Sequence, residues 1–224
     1  MDTKKLYSLF ASSAGVSTDT RKISKDEIYF SLKGDNFDGN KFALEAIEKG
    51  AKFSIVDDLK LKNASDKIIY VKDSLMSLQE LSNYHRSLFD TKVIGITGSN
   101  GKTTTKNLIY SILSQTYNVI KTKGNLNNHI GVPLSLLDIN DDVDIAVIEM
   151  GANHVGEIKR LCEIAMPDFG LITNYGYAHL EGFGDFNGVI KGKSEMFDYL
   201  TQNYGHIILN LSLIHISEPT RPMN

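Results

Sequence analysis

The sequence predicts an α/β protein: a small N-terminal α/β domain, then a P-loop-type, mostly parallel sheet with helices on both faces, truncated at its far end. Three observations predict this. From residue 92 onward, short β-branched apolar runs alternate with helical stretches, the pattern of a parallel sheet with crossover helices. Residues 93–105, VIGITGSNGKTTT, pass from such a strand through a Gly-rich turn into a helix start. The polar motifs that follow fall where later strands end, which is where ligands sit in open α/β sheets.

The chain of 224 residues has room for one large domain or two modest ones, and 42% hydrophobic with 23% charged residues suits a packed core. A net charge of −3 gives no reason to expect nucleic acid or an anionic membrane as partner. The single cysteine, Cys162, rules out an intrachain disulfide and suits a reducing compartment. The N-terminus has no signal-peptide pattern, and no stretch approaches the ~20 apolar residues of a membrane span. The expected location is therefore cytoplasmic.

The N-terminal domain is expected to hold a helix over residues 3–12, strands at 28–32, 53–56 and 68–71, and a helix at 43–49 stopped by Gly50. Residues 33–40 read as a polar loop. Ser74 is the expected cap of a helix running to about Asp90, with Leu75, Leu78, Leu81, His85 and Leu88 on its apolar stripe. The domain boundary is placed at 90/91. Strands then follow at 93–96, 117–120, 145–150, 169–173 and 207–209, with helices at 103–114, 130–137, 155–165 and 186–200. Residues 211–221, LSLIHISEPTR, look like a translated sequencing adapter, so 211–224 are expected to be a non-native tail on a chain cut near Asn210.

The turn after the first strand of the second domain is a phosphate cradle. Backbone N–H groups of Gly98, Ser99, Asn100 and Gly101 would face an anion, Lys102 would reach its β- and γ-phosphates, and Thr103, followed by Thr104, would offer a hydroxyl to Mg2+. The position five residues before Gly101 is Ile96 rather than glycine, so the loop is a shorter variant of the general pattern. Glu149 ends a buried strand beside this loop, well placed to hold Mg2+. His179 could ligate a second metal or touch phosphate, or lie on the surface; His129 and His154 read as surface residues. Asn125, Asn127 and Asn128 could orient a carboxylate or sugar or form a plain turn. Asp19-Thr20-Arg21 offers an arginine fork for an anion or a surface ion pair. Nothing in composition singles out Lys191 or Lys193.

Taken together, residues 97–104, Glu149-Met150-Gly151-Ala152 and Asn174 with Ala178-His179-Leu180 resemble the Mur ligases, ATP-dependent amide-forming enzymes of peptidoglycan synthesis. Asp19-Thr20-Arg21 and Gly34…Phe37-Asp38-Gly39-Asn40…Phe42 resemble the UDP-sugar-binding domain of that family. The 124–128 loop, with Gly131-Val132-Pro133-Leu134, is similar to the MurF branch. The resemblance implies a UDP-sugar substrate-binding domain at 1–90 and an incomplete ATP-binding central domain at 91–210. It implies ATP and Mg2+ as cofactors, UDP-MurNAc-tripeptide and D-Ala-D-Ala as substrates, a monomer, and ligation through an acyl phosphate.

It also implies residue roles. Gly98, Ser99, Asn100, Gly101, Lys102, Thr103 and Thr104 would bind ATP. Thr103 and Glu149 would hold one Mg2+; His179 and Lys193, the latter as a carbamate, would hold a second. Lys102, Lys193 and His179 would be catalytic. Asp19, Thr20, Arg21, Phe37, Asp38, Gly39, Asn125, Asn127, Asn128 and Asn174 would contact substrates. The 224 residues alone are expected to be inactive, with a MurE-type ligase adding a diamino acid, or a non-catalytic nucleotide-binding fragment, as alternatives.

Overall fold

The computed structural model describes residues 1–211, and the chain forms two compact units, the first Met1–Leu88 and the second starting at Phe89. The expected tail at 211–224 lies, beyond Leu211, outside the described residues.

In the first unit, α1 (Thr3–Ala11) precedes β1 (Val16–Ser17) and β2 (Ile28–Phe30). A short antiparallel hairpin follows, β3 (Lys33–Gly34) and β4 (Phe37–Asp38), where the sequence suggested only a loop. Then come α2 (Ala43–Glu48), β5 (Phe53–Val56), β6 (Ile68–Tyr70) and α3 (Ser74–Arg86). The strands pair in parallel in the order β1-β2-β5-β6. β2 is buried at every position, as its run Ile-Tyr-Phe demands. α3 departs from expectation at both ends. Asp73, not Ser74, is its cap, accepting from the Met76 amide at 2.7 Å, because a carboxylate is the better acceptor at a helix start. The helix stops at Arg86, so Leu78 and Leu81 are buried while Leu88 lies beyond it and is exposed. His85 is buried, edge-on to Phe10.

The second unit alternates strand and helix: β7 (Lys92–Thr97), α4 (Lys102–Leu113), β8 (Val119–Lys121), α5 (Gly131–Leu136), β9 (Ile145–Glu149), α6 (Glu157–Ala165), β10 (Phe169–Ile172), α7 (Leu180–Phe183), α8 (Phe186–Gln202) and β11 (His206–Ile208). The sheet order is β11-β10-β7-β9-β8, parallel throughout. β8 begins two residues later than the sequence suggests, at Val119, and the single turn α7 was not anticipated. β7 is central, with β9 on one side and β10 on the other, so the loops after these three strands open at one edge, beside the point where the connections reverse direction.

The apolar core packs α5, α6 and α8 onto one face of this sheet through Ala146, Ile148, Ile158, Leu161, Val189, Met196 and Leu200. Each large side chain fully buried there contributes roughly 1.5–3 kcal/mol. Strand alternation turns Val147 and Glu149 to the opposite face. There α4 packs against β7, β8 and β9, and its buried residue is a lysine, Lys106.

Candidate active site

The phosphate loop is shaped by two glycines. Gly98 has φ +142° and its missing Cβ makes room for Thr173, while Gly101 has φ +79° and serves as the cap residue of α4. No side chain caps α4, so the amides of its first turn point outward without a partner from the helix or from a cap. The loop is held from outside. Ser99 N donates to Asn174 O at 3.1 Å, Asn100 N donates to Asn174 Oδ1 at 3.1 Å, and Asn174 Nδ2 and Thr173 Oγ1 donate to Asn100 O at 3.0 and 2.6 Å. Ser99 Oγ bridges to Gly176 O and Gly176 N. Asn174, expected at a substrate, thus spends its amide on the loop.

Lys102 Nζ donates to Gly98 O at 2.7 Å and Ser99 O at 3.2 Å, across the mouth of the loop. Burial holds its pKa below the usual lysine range, and the Glu149 carboxylate only partly offsets that. Thr103 and Thr104 are exposed on the first turn.

Glu149 sits at the tip of β9, only 2% exposed. Its Oε1 accepts from Asn127 Nδ2 at 2.9 Å; its Oε2 accepts from Thr103 Oγ1 at 3.0 Å and pairs with Lys106 Nζ at 3.1 Å. Burial opposes its charge, but the bonds from Asn127, Lys106 and Thr103 outweigh it and hold the carboxyl below its ordinary range. Lys106 was missed in the sequence. Its spacing of four from Lys102 and three from Thr103 put it on their helix face, which is the signal that could have found it.

Lys193 is 1% exposed on α8, its Nζ 5.2 Å from the centre of the Phe183 ring. Burial first, and the Lys102 charge second, lower its pKa to about 8. Among the described residues no carboxylate forms an ion pair with it. Lys191 is exposed. His179 is exposed in the left-handed region, φ +56°, where it starts α7.

A cleft of ≈ 640 Å³ opens beside the loop, lined by Lys102, Asn127, Asn128, Glu157, Arg160 and His179 among others. Asn125 lines it too, but Asn128 also caps the α5 turn, its Oδ1 accepting from Ile130 N and Gly131 N. His129 is exposed on the cleft wall, and His154 pairs with Glu157. Glu157 and Arg160, on the first turn of α6, had no signal in the sequence beyond their helical position.

The N-terminal candidates form their own cluster. Arg21 closes a bidentate pair on Asp19, Nε to Oδ1 at 2.9 Å and Nη2 to Oδ2 at 2.8 Å, lowering the Asp19 pKa to about 2. Thr20 is buried beside it. Asp38 accepts from the amide and side chain of Asn40, Phe37 stacks on Phe42, and Gly39 O accepts from the Tyr29 hydroxyl at 3.1 Å. Burial, with the charges of Asp19, Glu45 and Asp38, pushes the Tyr29 pKa up to about 12.

The donor set at the loop fits Mg2+: a carboxylate and a hydroxyl oxygen 3.0 Å apart, both hard ligands, beside an uncapped helix start. No group of three His, Cys, Asp or Glu suited to a metal occurs among the described residues. Nothing joins His179 or Lys193 to Glu149 within hydrogen-bonding distance among the described residues.

Loop, lysine, strand-end acid and sheet order define the second unit as a nucleotide-binding α/β unit of the P-loop class. Sequence comparison specifies it further. Residues 96–217 match the Mur ligase middle domain, and residues 13–86 match the Mur ligase family catalytic domain. The chain belongs to the Mur ligase family. It is 41% identical over 191 residues to the UDP-N-acetylmuramoyl-tripeptide–D-alanyl-D-alanine ligase of Bacillus subtilis, covering 84% of this chain and 42% of that protein. The crystal structure of MurF from Acinetobacter baumannii superposes with a TM-score of 0.78 at 33% identity, over 88% of this chain and 46% of that one. MurF from Thermotoga maritima, in complex with ADP, gives 0.76 at 36% identity over 84% and 43%. The chain therefore spans less than half the length of these relatives.

Proposed function

We propose that this chain supplies the UDP-sugar-binding domain (residues 1–90) and much of the ATP-binding domain (from residue 91) of a MurF-type ligase, which joins D-alanyl-D-alanine to UDP-N-acetylmuramoyl-tripeptide at the expense of ATP. The observation that carries this reading is the length of the likeness. Identity of 41% over 191 residues runs through both units, far beyond what a shared phosphate loop would produce. The site is consistent with it: an uncapped helix start for phosphates, Lys102 beside them, and a cleft on the far side for the acceptor.

In the proposed reaction the tripeptide carboxylate oxygen takes the γ-phosphoryl group of ATP, and ADP is released. The dipeptide amine then attacks the carbonyl carbon of the acyl phosphate, the carbon–oxygen bond to phosphate breaks, and the amine loses a proton to solvent. Lys102 neutralises the phosphates once it swings off Gly98 O. Asn174 and Thr173 hold the loop in place for that contact. Glu149 and Thr103 would hold Mg2+, which would supply positive charge against the phosphates. Lys193 is the residue primed for carbamate formation, because a pKa of about 8 leaves a useful fraction of neutral amine near neutral pH. Asp19–Arg21 and Phe37–Gly39 receive the UDP-sugar, and the Asn125–Asn128 loop faces the acceptor. The enzyme acts as a monomer in the cytoplasm, where its ATP is; among the described residues no helix is long and apolar enough to cross a membrane.

The test is ADP release by a full-length protein carrying this sequence. Release is expected only when both UDP-MurNAc-tripeptide and D-Ala-D-Ala are present. Turnover with a free diamino acid and none with the dipeptide would reassign the chain to the MurE type. Nucleotide binding without any ligation would make it a non-catalytic module.

A further inference from the structure

We propose that Lys106 is a positioning residue that acts through Glu149, keeping the Glu149–Thr103 pair closed to a bare divalent cation until a nucleotide adds its negative charge. The idea rests on the nucleotide-dependent reading above and deepens it.

Both oxygens of Glu149 are already engaged: Oε1 by Asn127 at 2.9 Å, Oε2 by Thr103 at 3.0 Å and by the Lys106 ammonium at 3.1 Å. Carboxylate and ammonium are each 2% exposed, so water screens them little. The ammonium is fixed on its other side by Gly124 O at 3.2 Å, which ties it to the 124–128 loop. A cation taking Oε2 and the Thr103 hydroxyl would share its oxygen with that ammonium. Two positive charges a few ångström apart at a buried site repel strongly. Phosphates seated at the uncapped start of α4 would offset the repulsion, so metal and nucleotide would enter together.

The experiment uses a full-length protein carrying this sequence, free of nucleotide, with Mn2+ as the probe followed by electron paramagnetic resonance. Lys106→Met and Lys106→Gln are expected to bind Mn2+ about tenfold or more tighter than the unaltered protein. Lys106→Arg should stay as weak as the unaltered protein, since the charge is kept. Adding Glu149→Gln to Lys106→Met should remove the gain. Equal Mn2+ affinity in the unaltered protein and in Lys106→Gln, which keeps a hydrogen-bond donor and tests the idea even where the methionine variant folds poorly, would overturn the proposal. So would a gain that persists without the Glu149 carboxylate. No acceptor or turnover is involved. A protein that fails to ligate D-Ala-D-Ala but shows the Mn2+ pattern would sink the ligase reading and leave this one standing.

Discussion

Two lysines lie buried in the second unit, and they are buried in opposite ways. Lys106, on α4, meets the Glu149 carboxylate at 3.1 Å and a backbone carbonyl at 3.2 Å. Lys193, on α8, meets the face of Phe183 and has no carboxylate within ion-pair distance among the described residues. The first is a matched pair whose charge is compensated where it stands. For the second, burial and then the Lys102 charge outweigh the Glu157 carboxylate and lower the pKa to about 8. A compensated buried cation fixes geometry; an uncompensated one is poised to lose its proton and react. The second unit thus holds one buried lysine paired to a carboxylate and one packed on an aromatic ring.

That contrast can be broken at several points. The largest effect is expected from Lys193→Met in a full-length protein carrying this sequence: if the proposed carbamate role holds, steady-state ADP release should fall by roughly a thousandfold while the protein stays folded. Retained activity would make Lys193 a mere buried stem. Next, stability should move in opposite directions at pH 7. Lys106→Met should cost about 3 kcal/mol by leaving Glu149 buried without its cation, whereas Lys193→Met should gain on the order of 2 kcal/mol by removing an uncompensated one. Denaturant titration of both variants decides this; the same sign for both would erase the distinction.

The pH dependence follows from the lowered pKa of Lys193. The folded state releases this proton near pH 8 and the unfolded chain only near 10.5, so the unfolded state binds more protons in that window. Stability of the unaltered protein should therefore rise, relative to Lys193→Met, between those two values, and the gap between them should close at the upper end. Measurements in carbon-dioxide-depleted buffer check it. The smallest effect is expected at the loop clamp. Asn174→Ala should raise the KM for ATP about fivefold with little change in kcat, since it loosens Asn100 without touching the reacting atoms.

The strand-helix alternation and the phosphate loop were legible because each is written locally, in β-branched runs, glycines and the Lys-Thr that follows them. Residues 145–150 read as a buried strand with Glu149 near its tip, and β9 spans Ile145–Glu149. The hairpin at 33–38 was not legible, since polar residues with two glycines suit loop and hairpin alike. Nor was the end of α3: Leu88 continues the apolar spacing, yet the chain leaves the helix after Arg86. The local bonds of Asn128 to Gly131 N and of Asn174 to Asn100 N were not legible either, because they depend on how the loops close in space.

By itself the sequence determined the phosphate loop, the parallel sheet around it and the acid at the end of β9, because backbone preference and side-chain period act over a few neighbouring residues. Only the tertiary structure decided what the two lysines are. A lysine's charge state and partners depend on what lies across the fold, and Glu149 and Phe183 are 43 and 10 residues away from Lys106 and Lys193 along the chain. Composition cannot carry that information. Burial beside a carboxylate compensates the charge of Lys106, while burial on an aromatic ring lowers the pKa of Lys193.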